Sequence, residues 1–288
     1  MILLKLKGGL GNQLFQYACG RALSIRNNEE LKLDITEYSN NNTTDVVRHY
    51  SLSHFNIKAT IVAVKEIEKM KYPHGFISKV ARAFRTKVRR EFYINFNPNI
   101  IKRKGNIYLD GFFQTEKYFI DKEKEIRRDL TLKSRLNTKV KELSEKITNA
   151  QRSVSLHVRR GDYVNHPVSN KYNGTCSVEY YRCALDIITK KVGAIPKIFI
   201  FSDDIDWVRE NMPFPYPTTY VSSPEIKDYE ELHLMSLCHH HIIANSSFSW
   251  WGAWLDPRSD KIVVAPKRWT LKNVSRHRDT VPSSWIKI

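Results

Sequence analysis

The chain has 288 residues, which at about 150 residues per domain predicts two domains with cores of their own. Lysine and arginine number 47 against 30 aspartate and glutamate, a formal charge of +17, and so basic a balance favours phosphate-rich partners. With 41% hydrophobic residues, 11% aromatics, 11 glycines and 11 prolines, the composition excludes a collagen, a low-complexity tract and a disordered chain.

The four cysteines (Cys19, Cys176, Cys183, Cys238) include no C-x-x-C pair, so neither a disulfide framework nor a zinc site is indicated, and a reducing compartment is expected. The opening MILLKLKGG is interrupted by Lys5 and Lys7 and reads as a short buried strand, not as a secretory signal. No run approaches the ~18 apolar residues of a membrane span. The expectation is a soluble cytoplasmic protein, with peripheral contact to the inner membrane face left open.

In chain order, a strand from Ile2 to Leu6 leads through Gly8, Gly9 and Gly11 into a helix from Asn12 to Arg26 and a strand from Leu31 to Asp34, the start of a βαβ unit. Between 35 and 135 no topology is assigned. That region holds polar Asn40 to Thr44, a basic segment, and the block IYLDGFFQTEKYF at 107–119. In the basic segment, Lys79, Arg82, Arg85, Lys87, Arg89 and Arg90 surround Val80, Phe84 and Val88, which describes an amphipathic helix whose cationic face is either solvated or suited to anionic lipid or a pyrophosphate-linked acceptor. From 150 onward the pattern sharpens. Strands are expected near 153–158, 197–202, 218–221, 240–244 and 261–265, with helices near 178–191, 204–211, 228–238 and 248–255. Apolar strands alternating with helices predict a parallel sheet covered on both faces, which takes ligands at the carboxyl ends of its strands.

The loops after these strands hold the unusual chemistry. Strand 153–158 runs into His157, Arg159, Arg160 and Asp162; the arginines either clamp a phosphate with a bidentate fork or close the loop through a salt bridge. Strand 240–244 runs into Asn245, Ser246, Ser247 and Phe248, which either cap the next helix or offer its free amides to an anion. Asp203 and Asp204 end their strand as acceptors for a nucleobase or sugar, or as a helix cap. His239, His240 and His241 alternate faces on a strand and cannot converge on one ion, so no metal site is expected there.

Taken together, GGLGNQLFQYA at 8–18, LDGFFQTEKYF at 109–119, HVRRGDYV at 157–164, FSDD at 201–204 and HHHIIANSSFSWWGAWL at 239–255 resemble the motif series of bacterial α-1,2-fucosyltransferases of glycosyltransferase family 11. The resemblance implies an α/β, GT-B-like fold of two Rossmann-like domains facing across a cleft, with residues 1–149 on the acceptor side and 150–288 on the donor side. It implies inverting transfer of fucose from GDP-β-L-fucose to the 2-hydroxyl of a galactoside-terminated glycan, as in O-antigen synthesis. Beside it, the arginine and helix-terminus donors, with no His/carboxylate ligand set, predict no metal or other cofactor, and the cationic face at 79–90 fits a lipid-linked acceptor beside a membrane. By the same resemblance Arg160 clamps the donor pyrophosphate with Arg159 in support, and His157 lies near the nucleoside. Asn245, Ser246, Ser247 and Phe248 hold the phosphates, Gly11 and Asn12 reach the donor from the other domain, and Asp203 sits nearest the guanosine. Asp162 is the first candidate for the general base, with orientation of an arginine as its alternative role. Two competing readings are a fucosyltransferase of another linkage, such as α-1,6, and a basic nucleic-acid-binding protein; the second lacks a recognisable module, so no nucleic-acid partner is expected.

Overall fold

The computed structural model describes residues 1–39, 48–71, 95–272 and 277–288. The expected basic helix near 79–90 and the polar stretch from Asn40 to Thr44 lie outside the described residues. The chain divides into two compact units, Met1–Lys133 with Ser275–Pro282, and Ser134–Val274 with Ser283–Ile288.

In the first unit, β1 (Ile2–Lys5), α1 (Leu10–Asn27) and β2 (Leu31–Asp34) form the expected βαβ start. β3 (Thr60–Ile61) and β4 (Ile107–Leu109) complete a parallel sheet in the order β3-β2-β1-β4. Leu10, Leu14, Phe15, Ala18 and Ala22 put the apolar face of α1 into the core. The sheet grows from β1 toward β2 and β3, and β4 then adds on the other side of β1. That reversal makes the carboxyl ends of β1 and β4 the topological switch point of the sheet.

The second unit carries six parallel strands, β5 (Ser153–Val158), β6 (Lys197–Ser202), β7 (Thr218–Tyr220), β8 (His240–Ile242), β9 (Val263–Ala265) and β10 (Ile286–Lys287), in the order β10-β9-β8-β5-β6-β7. Residues alternate faces along a strand, and β6 shows the consequence. Ile198 and Ile200 join the core beneath α4 (Val178–Val192), while Phe199 and Phe201 join the opposite core with α2 (Thr138–Thr148) and α6 (Asp228–Leu237). This explains why the strands read as unbroken apolar runs. It also moves the domain boundary: residues 134–149, expected in the first domain, belong to the second, because Val140 and Ile147 of α2 pack against Phe199 and Phe201. Residues 275–282 return to the first unit, where Asp279 pairs with Lys117 at 2.6 Å.

The strand order again reverses, this time between β5 and β8. The carboxyl ends of those two strands carry the arginine turn and the Asn245–Phe248 segment, so the two motifs quoted from opposite ends of this unit meet at its switch point.

Candidate functional site

β5 is buried along its whole length and delivers Arg159 and Arg160 at its carboxyl end. Their side chains take different partners. Arg159 is held by Asp162 Oδ1 at 2.5 Å and Asp203 Oδ2 at 3.1 Å, with its guanidinium 5.3 Å from the centre of the Tyr163 ring. Burial works to lower its pKa, but Asp203 and Asp162 together hold it above the ordinary value. Arg160 lies 3.4 Å over the ring of Trp207 on α5 (Ile205–Asn211), and its Nε donates to Asp204 Oδ2 at 3.1 Å. Among the described residues neither Nη of Arg160 makes a hydrogen bond. Its fork therefore keeps two charged donor groups for a ligand.

Asp203 organises this turn. Its Oδ1 accepts the Arg160 amide at 2.8 Å while Oδ2 pairs with Arg159. The approach is so close that a Cβ at Gly161, the first residue of α3 (Gly161–Asn165), would lie 2.3 Å from Asp203 Oδ2. Only glycine fits without displacing the carboxylate. Of the two roles open to Asp162 in the sequence, the 2.5 Å pair favours orienting Arg159.

At the end of β8, Asn245 is 4% exposed, and its Nδ2 donates to the carbonyls of Asn173, Gly174 and Trp269 at 3.1 to 3.2 Å. That amide ties the helix end at Asn173–Gly174 and the loop at Trp269 to the start of α7 (Ser247–Leu255). Ser246 is the N-cap, its Oγ accepting from the Phe248 amide at 3.3 Å. Ser247 opens the helix, whose first-turn amides have no intrahelical acceptors and favour an anion. Lys261 completes the dipole at the other end by donating to the carbonyls of Ala253, at 2.7 Å, and Asp256. The Phe248 ring lies 5.7 Å from that of His157. Burial, followed by the charge of Arg159, pushes the His157 pKa down to about 3, so the imidazole is neutral near pH 7. His157 Nδ1 on β5 and Arg159 Nε just past its end are buried and, among the described residues, have no hydrogen-bond partner. Unsatisfied polar atoms at a strand end mark a place where a ligand can bind.

Glu231 on α6 was missed in the sequence, where it sits inside a run of mixed charge. Burial pushes its carboxyl up to about 7, against a hydrogen bond from Ser222 that lowers it; Asp228 and Asp203 add like charge. A carboxyl titrating near neutrality beside the Asp203 turn is a functional candidate. The three histidines separate as the strand period requires. His239 faces Asp260 at 3.0 Å, and His240 Nδ1 accepts the Ile262 amide at 3.1 Å. His241 lies between Ser155 Oγ at 2.8 Å and Asp256 Oδ2 at 3.0 Å. Among the described residues no group of three His, Cys, Asp or Glu is placed to hold a metal ion.

Gly11 and Asn12 belong to the first unit, in the first turn of α1. Asn12 Oδ1 accepts from Gln114 Nε2 at 2.7 Å. Gly8 has φ +78° and would place a Cβ 2.7 Å from Asn12 Nδ2, so the turn needs glycine for both its angle and its space. Gln13 is fully buried and bonds the carbonyls of Gly8 and His49 and the amide of Ser51, which makes it a structural tie. Among the described residues no helix is long and apolar enough to cross a membrane.

Comparison with known proteins places these features in a family. The model of glycosyl transferase family 11 matches residues 1–288. The α-1,2-colitosyltransferase of Escherichia coli is 34% identical over 301 residues, covering 100% of this chain and 99% of the relative. The O-antigen biosynthesis glycosyltransferase WbnK of Escherichia coli is 32% identical over 307 residues, covering 98% and 99%. The solved structure of the fucosyltransferase NodZ from Bradyrhizobium superposes with a TM-score of 0.55 at 15% identity, covering 89% of this chain and 93% of that one. NodZ, an α-1,6-fucosyltransferase, has also been co-crystallised with GDP. The fold likeness bears out the expected GT-B-like class, built here from two α/β units with parallel sheets.

Proposed function

Because the chain belongs to glycosyl transferase family 11 and is a glycosyltransferase, we propose that it transfers L-fucose from GDP-β-L-fucose to the 2-hydroxyl of a terminal galactoside, with inversion, in surface-glycan synthesis. The observation that carries the linkage is the end-to-end match to an α-1,2-transferase at 34% identity. Breaking the bond from C1 of the sugar to the phosphate oxygen leaves positive charge on the sugar ring and negative charge on GDP. Preorganised donors at the pyrophosphate stabilise the state in which that charge appears. The free fork of Arg160 and the first-turn amides of α7 supply such donors, and with them transfer needs no metal. The buried orphan atoms of His157 and Arg159 complete the donor side. Asp203 is occupied by the arginine turn. The guanine edge, with adjacent N1–H and N2–H donors, therefore matches the carboxylate of Glu231 better than that of Asp203.

A second reading concerns the sugar. The similarity to an α-1,2-colitosyltransferase supports colitose, the 3-deoxy form of fucose, as the sugar transferred, with GDP-colitose as the corresponding donor. The test is incubation of the EDTA-treated enzyme with each donor and a panel of β-galactosides, followed by linkage analysis. An α-1,2-fucosyl product supports the first reading and transfer from GDP-colitose alone supports the second. A different linkage, or activity that returns only with added Mn²⁺ or Mg²⁺, overturns the corresponding part of the proposal.

A further inference from the structure

The carboxyl ends of β5 and β6 carry the arginine turn and Asp203, while the amino ends of the same two strands carry a different chemistry. Ser153, the first residue of β5, pairs with Lys197, the first of β6, and the Lys197 amide donates to the Arg152 carbonyl at 3.1 Å. Between this edge and the last turn of α2 lies an open recess of about 550 Å³, lined by Lys146, Arg152 and Lys197 with Asn149, Gln151 and Ile195. A strand of this length, at about 3.3 Å per residue, sets the recess about 20 Å from the arginine turn. It is therefore no part of the site already described.

The three cations are unspent. Among the described residues none of them has an ion pair or a side-chain hydrogen bond. Even Glu142, one helical turn before Lys146 on α2, lies beyond ion-pair distance. Lys190 and Lys191, in the last turn of α4, add charge just before the loop that carries Ile195. Complementing a helix dipole accounts for Lys146, Lys190 and Lys191, but not for Arg152 and Lys197, which stand at strand starts. Ile195 is 70% exposed, more than any other large hydrophobic among the described residues. Pro196 beside it is buried, so the loop is anchored while its apolar tip stands in water.

An apolar tip among unpaired cations has the chemistry of a bilayer interface, where the side chain enters the headgroup boundary and the cations meet phosphates. A nucleic acid would meet the same charges, but the recess is lined by no aromatic ring on which a base could stack. We propose that the amino-terminal end of the second unit's sheet binds a bilayer of anionic phospholipid, with a headgroup phosphate among Lys146, Arg152 and Lys197 and with Ile195 inserted beside it. The arginine turn then lies at the end of the sheet away from the lipid.

The test is co-sedimentation of the full chain with vesicles of equal parts phosphatidylglycerol and phosphatidylcholine, and with phosphatidylcholine alone, at low and high salt. The variants are the triple Lys146→Gln, Arg152→Gln, Lys197→Gln, and the single Arg152→Glu and Ile195→Ser, both at exposed positions. A charge-matched control carries Lys65→Gln, Lys69→Gln and Lys104→Gln on the first unit, and thermal melting checks folding throughout. The parent should pellet with the anionic vesicles only, and less so at high salt. At about fivefold for each cation near an anionic surface, the triple variant should weaken partitioning by on the order of a hundredfold. Ile195→Ser should weaken it by about tenfold, and the control should stay within about fivefold of the parent. Absence of parent binding to anionic vesicles, or folded triple and Arg152→Glu variants that partition as the control does, overturns the proposal. Unchanged partitioning of Ile195→Ser overturns insertion of the loop. Titrations with inorganic phosphate and with single-stranded RNA fix the source of the phosphate: either one binding the parent and not the triple variant, while vesicles bind both alike, overturns the lipid assignment in favour of a free anion or a nucleic acid.

Discussion

Replacing each arginine of the β5 turn by alanine should separate catalysis from stability, because the two side chains stand in different surroundings. Arg160 gives up a stack on Trp207, about 0.5–1 kcal/mol, and a partly exposed pair with Asp204, about 0–1 kcal/mol. Arg160→Ala should therefore lower the melting temperature by only a few degrees, at about 2–4 °C per kcal/mol for a chain of this size class. Its effect on chemistry should be far larger. Negative charge on the departing phosphate grows as the sugar bond breaks, and loss of a preorganised donor there costs about 10²–10³ in kcat. Arg160→Lys keeps the charge and loses the fork, so it should recover part of that rate. Arg159→Ala is the opposite case. It leaves Asp162 and Asp203, which the guanidinium bridges at 2.5 and 3.1 Å, without their shared cation; the group is partly exposed, so the loss should exceed that of a surface pair, about 0–1 kcal/mol, and fall short of that of a fully buried one, about 3–5 kcal/mol. The assay is steady-state kinetics on parent, Arg160→Ala and Arg160→Lys, with GDP affinity measured by titration and folding by thermal melting. If Arg160→Ala melts within a few degrees of the parent and keeps kcat within about twofold, the clamp assignment is refuted. Arg160 then serves as wall with Trp207, and the phosphate contact passes to Arg159, to be examined as Arg159→Lys so that a cation stays between the two carboxylates.

Gly161→Ala should displace Asp203, whose Oδ2 lies 2.3 Å from the new Cβ; disturbing charge-assisted hydrogen bonds of about 1.5–3 kcal/mol each should lower both Tm and kcat/KM, and a variant with parent values would show the turn to be more forgiving than its geometry. Glu231, raised to about 7, should bind guanine as the carboxylate, so GDP affinity by calorimetry should rise as pH passes upward through 7 and lose that slope in Glu231→Gln; an unchanged slope in the variant removes Glu231 from the base site. His241 is lowered to about 4 by burial first. The unfolded chain, with histidine near its ordinary 6.5, binds more protons than the folded one between about pH 4 and 6.5, so stability should rise with pH across that window, by on the order of 3 kcal/mol from this residue as an upper bound. His241→Asn should flatten that part of the denaturation profile, and an equally steep profile in the variant would mean that the proton is taken up elsewhere.

What could be read from the sequence follows from how local its causes are. β5 and β6 were legible because both faces of each are covered, so SVSLHV and KIFIFS carry apolar residues at nearly every position. β3 and β10, two residues each, are too short to show a period. α2 carries Val140, Leu143 and Ile147 at helical spacing, yet its polar surroundings tie it to neither domain until Phe199 and Phe201 are known to lie beneath it. The candidate residues of the second unit were legible as types at strand ends, but their division of labour was not. Whether Asn245 spends its amide on three carbonyls and which arginine has donors to spare both depend on partners more than 20 residues away in the chain. Strand order is the deeper case. Nothing local in HVRRGDYV or ANSSFSWW states that β8 pairs with β5 and not with β7, yet that pairing brings the two motifs to one end of the sheet. The same rule, applied to β1 and β4, places LDGFFQT at the switch point of the first sheet.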